Sequence, residues 1–371
     1  MTITKVTDAG LDKSRIVTPI IINGDMQVAQ RGTSKTGLTN GVAGYYTIDR
    51  FAFRETGDTS AVFTMSQDTD VPTGQGFAKS MKLDCTTADA SPGSGDWVRI
   101  RYRVEGQDLQ MIKKGTSSAE TLTMSFWVKS SKTGTHIVSI YDDDNSGRII
   151  AKAYTISSAD TWEKKVITFA GDTTGTLTND NSSAFRIEWH LLSGSDYQSG
   201  TLATSWQAYD ATDLSVGQVN LADNTSNNWY ITGIQLEIGE FDTNTIPSFP
   251  FESFENNLKK CQRYFYKEAI GDGLAYFTGY NTASTSARGL FYHPTTMRTT
   301  PTAIEQTGTA ANYKVGHANT ETACSAVPSF NHATPNYTAI VFTVSSGLTT
   351  GQGSQGRSGN SASFISIDTE L

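Results

Sequence analysis

The sequence predicts an all-β protein: an N-terminal jelly-roll β-sandwich, a short connector helix and a small C-terminal β-sandwich. Three observations lead there. Thr, Ser, Gly and Asn dominate while charged residues make up only 18% of the chain, a mix that disfavours long helices and suits strands joined by tight turns. Many stretches alternate apolar and polar residues with the period of a strand. A change in composition near residue 250 divides the 371 residues, enough for one large β domain and a smaller one.

Taken in order, residues 1–20 ("MTITKVTDAGLDKSRIVTP…") are too short and polar to form a core, so they read as an attachment segment ordered by a partner. Residues 21–246 read as the sandwich. "IINGDMQVAQRGTS" opens it at Ile21 and interrupts its first apolar run with the turn-former Asn23-Gly24-Asp25. "DWVRIRYRV" sets Val98, Ile100, Tyr102 and Val104 on one face and Trp97, Arg99, Arg101 and Arg103 on the other. "SAFRIEWHLL" points Phe185, Ile187, Trp189 and Leu191 inward, leaving Arg186, Glu188 and His190 on what reads as a solvated face. "ETLTMSFWVKS", "THIVSIYDD", "GRIIAKAYTIS", "TWEKKVITFAG" and "NWYITGIQLEIG" supply further strands. About eight to ten strands with turns between them suit two packed sheets.

Residues 247–268 form the connector. Pro247 and Pro250 stop what precedes them, and Phe251, Phe254, Leu258, Cys261 and Phe265 then recur at helical spacing. Ser253 is the expected N-cap, and Lys259, Lys260 and Arg263 sit near the end, where the helix dipole favours cations. The aromatic stripe packs either on its own domain or on copies of itself, and the second option makes those five residues an oligomerisation seam, most simply of a homotrimer. Residues 269–371 repeat the strand pattern in miniature, in phrases such as "LAYFTGYN" and "YTAIVFTVSSG".

Charge and cysteine usage exclude several classes. The formal net charge is -8, which argues against nucleic acid as the main partner. From Phe251 onward eight Lys/Arg offset eight Asp/Glu, so the whole surplus lies in residues 1–250. No apolar run is long enough to span a bilayer, and the first residues lack the apolar stretch of a secretory signal. Cys85, Cys261 and Cys324 stand far apart and are odd in number, so no disulfide framework or metal spacing is expected. The chain reads as folded in a reducing cytoplasm.

No catalytic motif stands out. The five histidines are scattered, and no nucleophile elbow, phosphate loop or zinc signature is present. Paired carboxylates for glycoside hydrolysis could come from distant strands, but nothing selects a pair. In "YDDDNSGRI", Asp142, Asp144 and Ser146 before Gly147 copy the first half of a calcium loop, whereas Ala153 stands where its closing Glu belongs. The alternative is an acidic turn between two strands. Trp97 with Arg99, Arg101 and Arg103 could stack a sugar ring and hold its acidic groups. The alternative is cross-strand pairing with acidic residues of the same domain.

The Asn23-Gly24-Asp25 corner resembles the opening of jelly-roll carbohydrate-binding modules, whose first strand often reads N-G-D/G-F-E. That resemblance implies a structural calcium held partly by the acid after the turn. Here Gln27 replaces the Glu, and Thr232 and Gly233 stand where a last-strand acid is expected. No other cofactor is implied. Over residues 21–371, the ordered phrases "INGDMQVAQRGTS", "SFWVKSSKTGTHIVSIYD", "NNWYITGIQLEIG", "FESFENNLKKCQRYFYK" and "GNSASFISIDTEL" resemble tail-fibre and related virion proteins of tailed bacteriophages. The resemblance implies a protein made in the bacterial host cytoplasm, released by lysis and mounted on the virion, where it adsorbs to host surface glycans without catalysis. Its partners would be other virion proteins, host glycans and further copies of itself. Two other readings remain: a purely structural decoration protein and a glycan-degrading tailspike.

Overall fold

The computed structural model describes residues 19–145 and 147–371; residues 1–18, most of the expected attachment segment, and Ser146 lie outside the described residues. Two antiparallel sheets face each other. The front sheet runs, in spatial order, Ser34–Leu38, Val62–Asp68, Ser80–Thr87, Asn228–Ile238, Leu122–Ser130 and Glu163–Phe169. The back sheet runs Gln207–Ala208, Arg148–Ile156, Gly134–Asp142, Ser183–Ser193, Trp97–Glu105, Phe51–Thr56 and Gly44–Tyr45. Strand alternation explains the core between them. Met124, Phe126, Val128, Trp229 and Ile231 project from the front sheet onto Ile100, Tyr102, Ile187 and Trp189 of the back sheet, all of them buried. Burial of this apolar surface, worth roughly 25 cal/mol per Å², fixes which face of each strand points inward, because a one-residue slip would expose it.

The outer face of the back sheet corrects one expectation. Glu188, His190, Arg99 and Arg101 are buried, not solvated. Residues 194–219 fold back over that face, where Ala203 and Leu214 cover Ile137, Ile149 and Ala151. His190 is held between two hydroxyls, with Ser139 Oγ 2.9 Å from Nε2 and Ser215 Oγ 2.9 Å from Nδ1. A covering segment without strand periodicity leaves no trace in the alternation of the strands beneath it.

The C-terminal part also differs from the expected sandwich. Ala275–Ala283, Ser286–Tyr292, Tyr337–Val344, Thr320–Thr334, Tyr313–His317 and Gly353–Ser358 close into a barrel around Phe277, Phe291, Tyr313 and Phe342. The long strand Thr320–Thr334 shifts register at three points. Such bulges bend a strand enough for it to pair with both neighbours around a closed curve. Gly289 and Gly356 make room for the central ring, since a Cβ on either would come within 1.9 Å and 2.3 Å of Phe277.

Among the described residues the one α-helix spans Phe254–Gln262 and starts where expected, with Ser253 Oγ accepting from the Asn256 N–H. Its buried face, however, is Asn257 and Cys261. Phe251 precedes the helix, and Phe265 opens a strand, Phe265–Glu268, that pairs with Ile365–Asp368. Cys261 and Phe265 are therefore buried within the chain and cannot line a seam between copies, whereas Phe254 is 55% exposed. The helix lies against the N-terminal corner: Asn257 Nδ2 donates to Asp25 Oδ1 at 3.0 Å. Just beyond it, Glu105 of the back sheet accepts from Arg263 Nη2 (2.9 Å) and the Tyr264 hydroxyl (2.5 Å). Arg50 lies over the Tyr264 ring at 3.4 Å and pairs with Glu370. Arg31 reaches Asp368 at 2.8 Å. The sandwich, the end of the helix and the C-terminal strand Ile365–Asp368 with the residues after it thus share one ionic joint.

A pH dependence follows from His136, which is stacked on Tyr154 in the core with ring centroids 5.6 Å apart. Burial pushes its pKa down to about 4. The unfolded chain takes up this proton near the ordinary value of about 6.5, so acidification from there to about pH 4 removes roughly 3 kcal/mol of stability through this group. Asp49, raised by burial to about 6, acts in the opposite sense over the same window. The comparison is therefore between wild type and His136→Phe, and urea unfolding at pH 7 and pH 4.5 should show a smaller acid loss in the variant.

Candidate functional site

The residues singled out in the sequence fall into different surroundings. Trp97 is half-buried beneath Arg99, whose guanidinium carbon lies 4.1 Å from the ring centroid. Arg99 Nη1 and Arg101 Nε both pair with Glu188, at 2.9 and 2.6 Å, and these charges hold the Glu188 carboxyl far below the carboxylate range despite its burial. The strand therefore does not offer an open stripe of four residues. Arg99 and Arg101 are committed to cross-strand pairing, and only Trp97 and Arg103 remain half-exposed.

The acidic loop is filled from within. Lys114 Nζ lies 2.6 Å from Asp142 Oδ2 and 3.1 Å from Asp172 Oδ2, so an ammonium sits where a calcium ion would have to bind. Asp144 instead accepts from the Thr178 N–H. The Asn23-Gly24-Asp25 corner is engaged by hydrogen bonds of its own. Asn23 ties the backbone of Val28 and Asp49, and Asp25, engaged by Asn257, lines a cavity of about 20 Å³ together with Gln235 and Glu252. Calcium takes six to eight oxygens. Among the described residues no group of three or more His, Cys, Asp or Glu could hold a metal.

The outer face of the front sheet carries a different arrangement. Strand Asn228–Ile238 shifts register between Thr232 and Gln235, and Gly233 within the bulge has φ +64°, where a Cβ would approach Phe77 to 2.5 Å. Only glycine lets that ring lie against the backbone. Phe77, Phe249 and Phe251 then form a triad with centroids 4.9 to 5.1 Å apart. Together with Trp127 they line a cleft of about 300 Å³. Trp127 points outward because Phe126 and Val128 on either side of it face the core. Lys164 lies directly across from Trp127 on the next strand and has no ion-pair partner among the described residues. Gln235, 3% exposed, donates through Nε2 to the Pro247 carbonyl at 2.9 Å, and its Oε1 has no partner. Gln235 lies between this cleft and the small cavity at the Asn23-Gly24-Asp25 corner.

The aromatic surface continues along the same face. Two residues beyond Trp127, Lys129 lies 4.2 Å from the Tyr230 centroid and pairs with Asp70. Trp162 Nε1 donates to the same Asp70 at 2.9 Å, and its ring is 6.1 Å from that of Tyr230. Of these residues the sequence singles out only Phe251, and as part of an oligomerisation seam, not of this cleft. The signal for Trp127 was available, since a tryptophan at an outward strand position is unusual. The phenylalanines come from loops that only the fold brings together.

No family model and no curated protein matches this chain. Among solved structures it is similar to the enzymatically active domain of bacteriophage CBA120 tailspike protein 4, at 14% identity and TM-score 0.28, covering 51% of this chain and 19% of the tailspike. It is also similar to the family 11 carbohydrate-binding module of a Clostridium thermocellum cellulosomal cellulase, at 14% identity and TM-score 0.30, covering 56% of this chain and 96% of the module. The N-terminal cellulose-binding domain of a Cellulomonas fimi β-1,4-glucanase gives 12% identity and TM-score 0.27, over 58% and 99% of the two chains.

The bulge glycine gives a direct check on how the cleft is built. Gly233→Ala combines a left-handed backbone with a clash against Phe77 and should cost about 1–3 kcal/mol. A denaturant midpoint unchanged from wild type would show that the ring is not held as described.

Proposed function

We propose that this chain is a virion protein of a tailed bacteriophage that holds host surface glycans, without catalysis, in the front-sheet cleft. The observation that carries the binding reading is the cleft itself: four aromatic rings with the polar side chains of Gln75, Lys164 and Ser248 around them. A pyranose presents apolar C–H faces and hydroxyl edges. The C–H faces stack on Trp127 and Phe251, and hydroxyls meet the exposed polar side chains of Gln75 and Ser248 at the rim of the cleft. Half-exposed Trp162 offers a second stacking position for a longer chain. The virion assignment rests on the ordered phrases that resemble tail-fibre proteins, with synthesis in the host cytoplasm and release by lysis as its corollaries. Among the described residues no helix is long and apolar enough to cross a membrane.

Each shallow contact is weak, so firm attachment needs several copies acting together. A homotrimer supplies them, and the exposed Phe254 with half-buried Leu258 is the apolar surface on the helix available to build it. Light scattering should find an assembly larger than one chain, and Phe254→Asp should reduce it to a monomer; a monomeric wild type at micromolar concentration would overturn the trimer.

The binding reading is tested on a glycan array followed by calorimetry. Trp127→Ala should lower affinity for the selected glycan at least tenfold, about 1.4 kcal/mol, with the melting temperature held within a few degrees. No reducing ends should be released. Unchanged binding in the variant would remove the cleft from consideration, and released reducing ends would turn the reading to a glycan-degrading protein.

A further inference from the structure

The back sheet carries a second feature, which arises from register. Antiparallel pairing sets Arg103 directly opposite Arg186 and Arg54 directly opposite Arg99. Like charges in directly opposed positions destabilise a sheet, and here two such pairs flank the row Tyr45, Ala52, Arg101, Glu188. The charges do not balance. Glu188 serves Arg99 and Arg101, and Asp143 lies 2.7 Å from Arg186 Nε. Five guanidiniums against these two carboxylates leave a surplus of three. Glu55 follows Arg54, but its Oε1 accepts from the Gly41 N–H; counting it still leaves two. This happens in a chain whose formal net charge is -8.

Arg54 and Arg103 are the residues left over. Neither makes an ion pair or a side-chain hydrogen bond among the described residues, and the buried Nε of each has no partner. In Arg99, which is only 4% exposed, Nε and Nη2 are likewise unpartnered. Burial, and then the neighbouring guanidiniums of Arg101 and Arg186, push the pKa of both Arg54 and Arg103 down. Both side chains are half-buried, so solvent reaches them.

We propose that this arginine cluster is an anion-binding site that takes the acidic substituent of a host saccharide, with Arg54 and Arg103 as its two free forks. A guanidinium fork pairs with two oxygens of one oxyanion, and the bound charge relieves the opposed Arg103–Arg186 and Arg54–Arg99 pairs. The proposal rests on the glycan-binding reading and narrows it to an anionic glycan.

The test is calorimetric binding of purified full-length protein to polygalacturonate, dextran sulfate and neutral dextran of similar mass, at low and moderate salt. Wild type should bind at least one charged chain, and Arg54→Gln and Arg103→Gln should each weaken that binding at least tenfold and flatten its salt dependence. The tighter of the two charged chains identifies the substituent as carboxylate or sulfate. Lys113→Gln, at an exposed loop lysine outside both sites, should leave charged-chain binding unchanged. The melting temperature of Arg103→Gln without ligand should hold or rise, because the variant removes a like-charge pair. Charged-chain binding that survives both arginine variants, or that falls only with Lys164→Gln in the front-sheet cleft, overturns the site. Binding confined to neutral glycans also overturns it and leaves the glycan reading standing. Binding to no glycan, on these chains or on the array, removes both.

Discussion

The buried carboxylate of Glu105 is the point on which the arrangement of the parts depends. It is fully inaccessible to water and takes Arg263 and the Tyr264 hydroxyl as partners. Those two residues follow directly on the helix, and Tyr264 in turn supports Arg50, whose own partner Glu370 comes from the far end of the chain. Ion pairs buried this deeply give little net stability compared with apolar packing, but removing one partner leaves an uncompensated charge and costs about 3–5 kcal/mol. They therefore act as a specificity device. Sandwich and barrel could each satisfy their apolar cores alone, and the joint fixes how they sit against each other.

The inward halves of the strands were legible in the sequence because alternation has a period of two and one face must be apolar. Val98, Ile100 and Tyr102 read correctly for this reason, as did Ile187 and Trp189. The outward halves were not legible. A polar outer face looks the same whether it meets water or a covering loop, and His190 and Glu188 are buried only because residues 194–219 return over them. The acidic loop failed as a metal site for a related reason: its counter-ion, Lys114, lies outside the loop's own sequence. Barrel closure in place of a second sandwich depends on where one long strand bends, and its bulges carry no strong sequence mark.

The candidate cleft was legible only in part. Trp127 announces itself as an aromatic between two core positions, but Phe77, Phe249 and Phe251 converge through a bulge glycine and two loops. Conversely, the aromatic-basic strand that attracted attention in the sequence proved to be half ion pair and half surplus charge. Its distinguishing feature, arginine opposite arginine, exists only once the register is known. The two faces of the sandwich thus differ in kind: one presents rings and a few polar atoms, the other a concentration of cations framed by tyrosines.

Barrel closure bears on how the protein behaves when many copies are crowded together. A closed sheet has no free row of N–H and C=O groups for a neighbour to extend. The open sheets are blunted too. The back sheet ends in strands of only two residues, Gly44–Tyr45 and Gln207–Ala208. The front sheet ends in the five-residue Ser34–Leu38, broken by a register shift, and in a strand that starts Glu163-Lys164-Lys165. Edges this short or this charged resist strand-to-strand polymerisation. A β-rich chain of this composition can accordingly be held at high local density without the sheet-to-sheet growth that would turn an ordered array into a fibre.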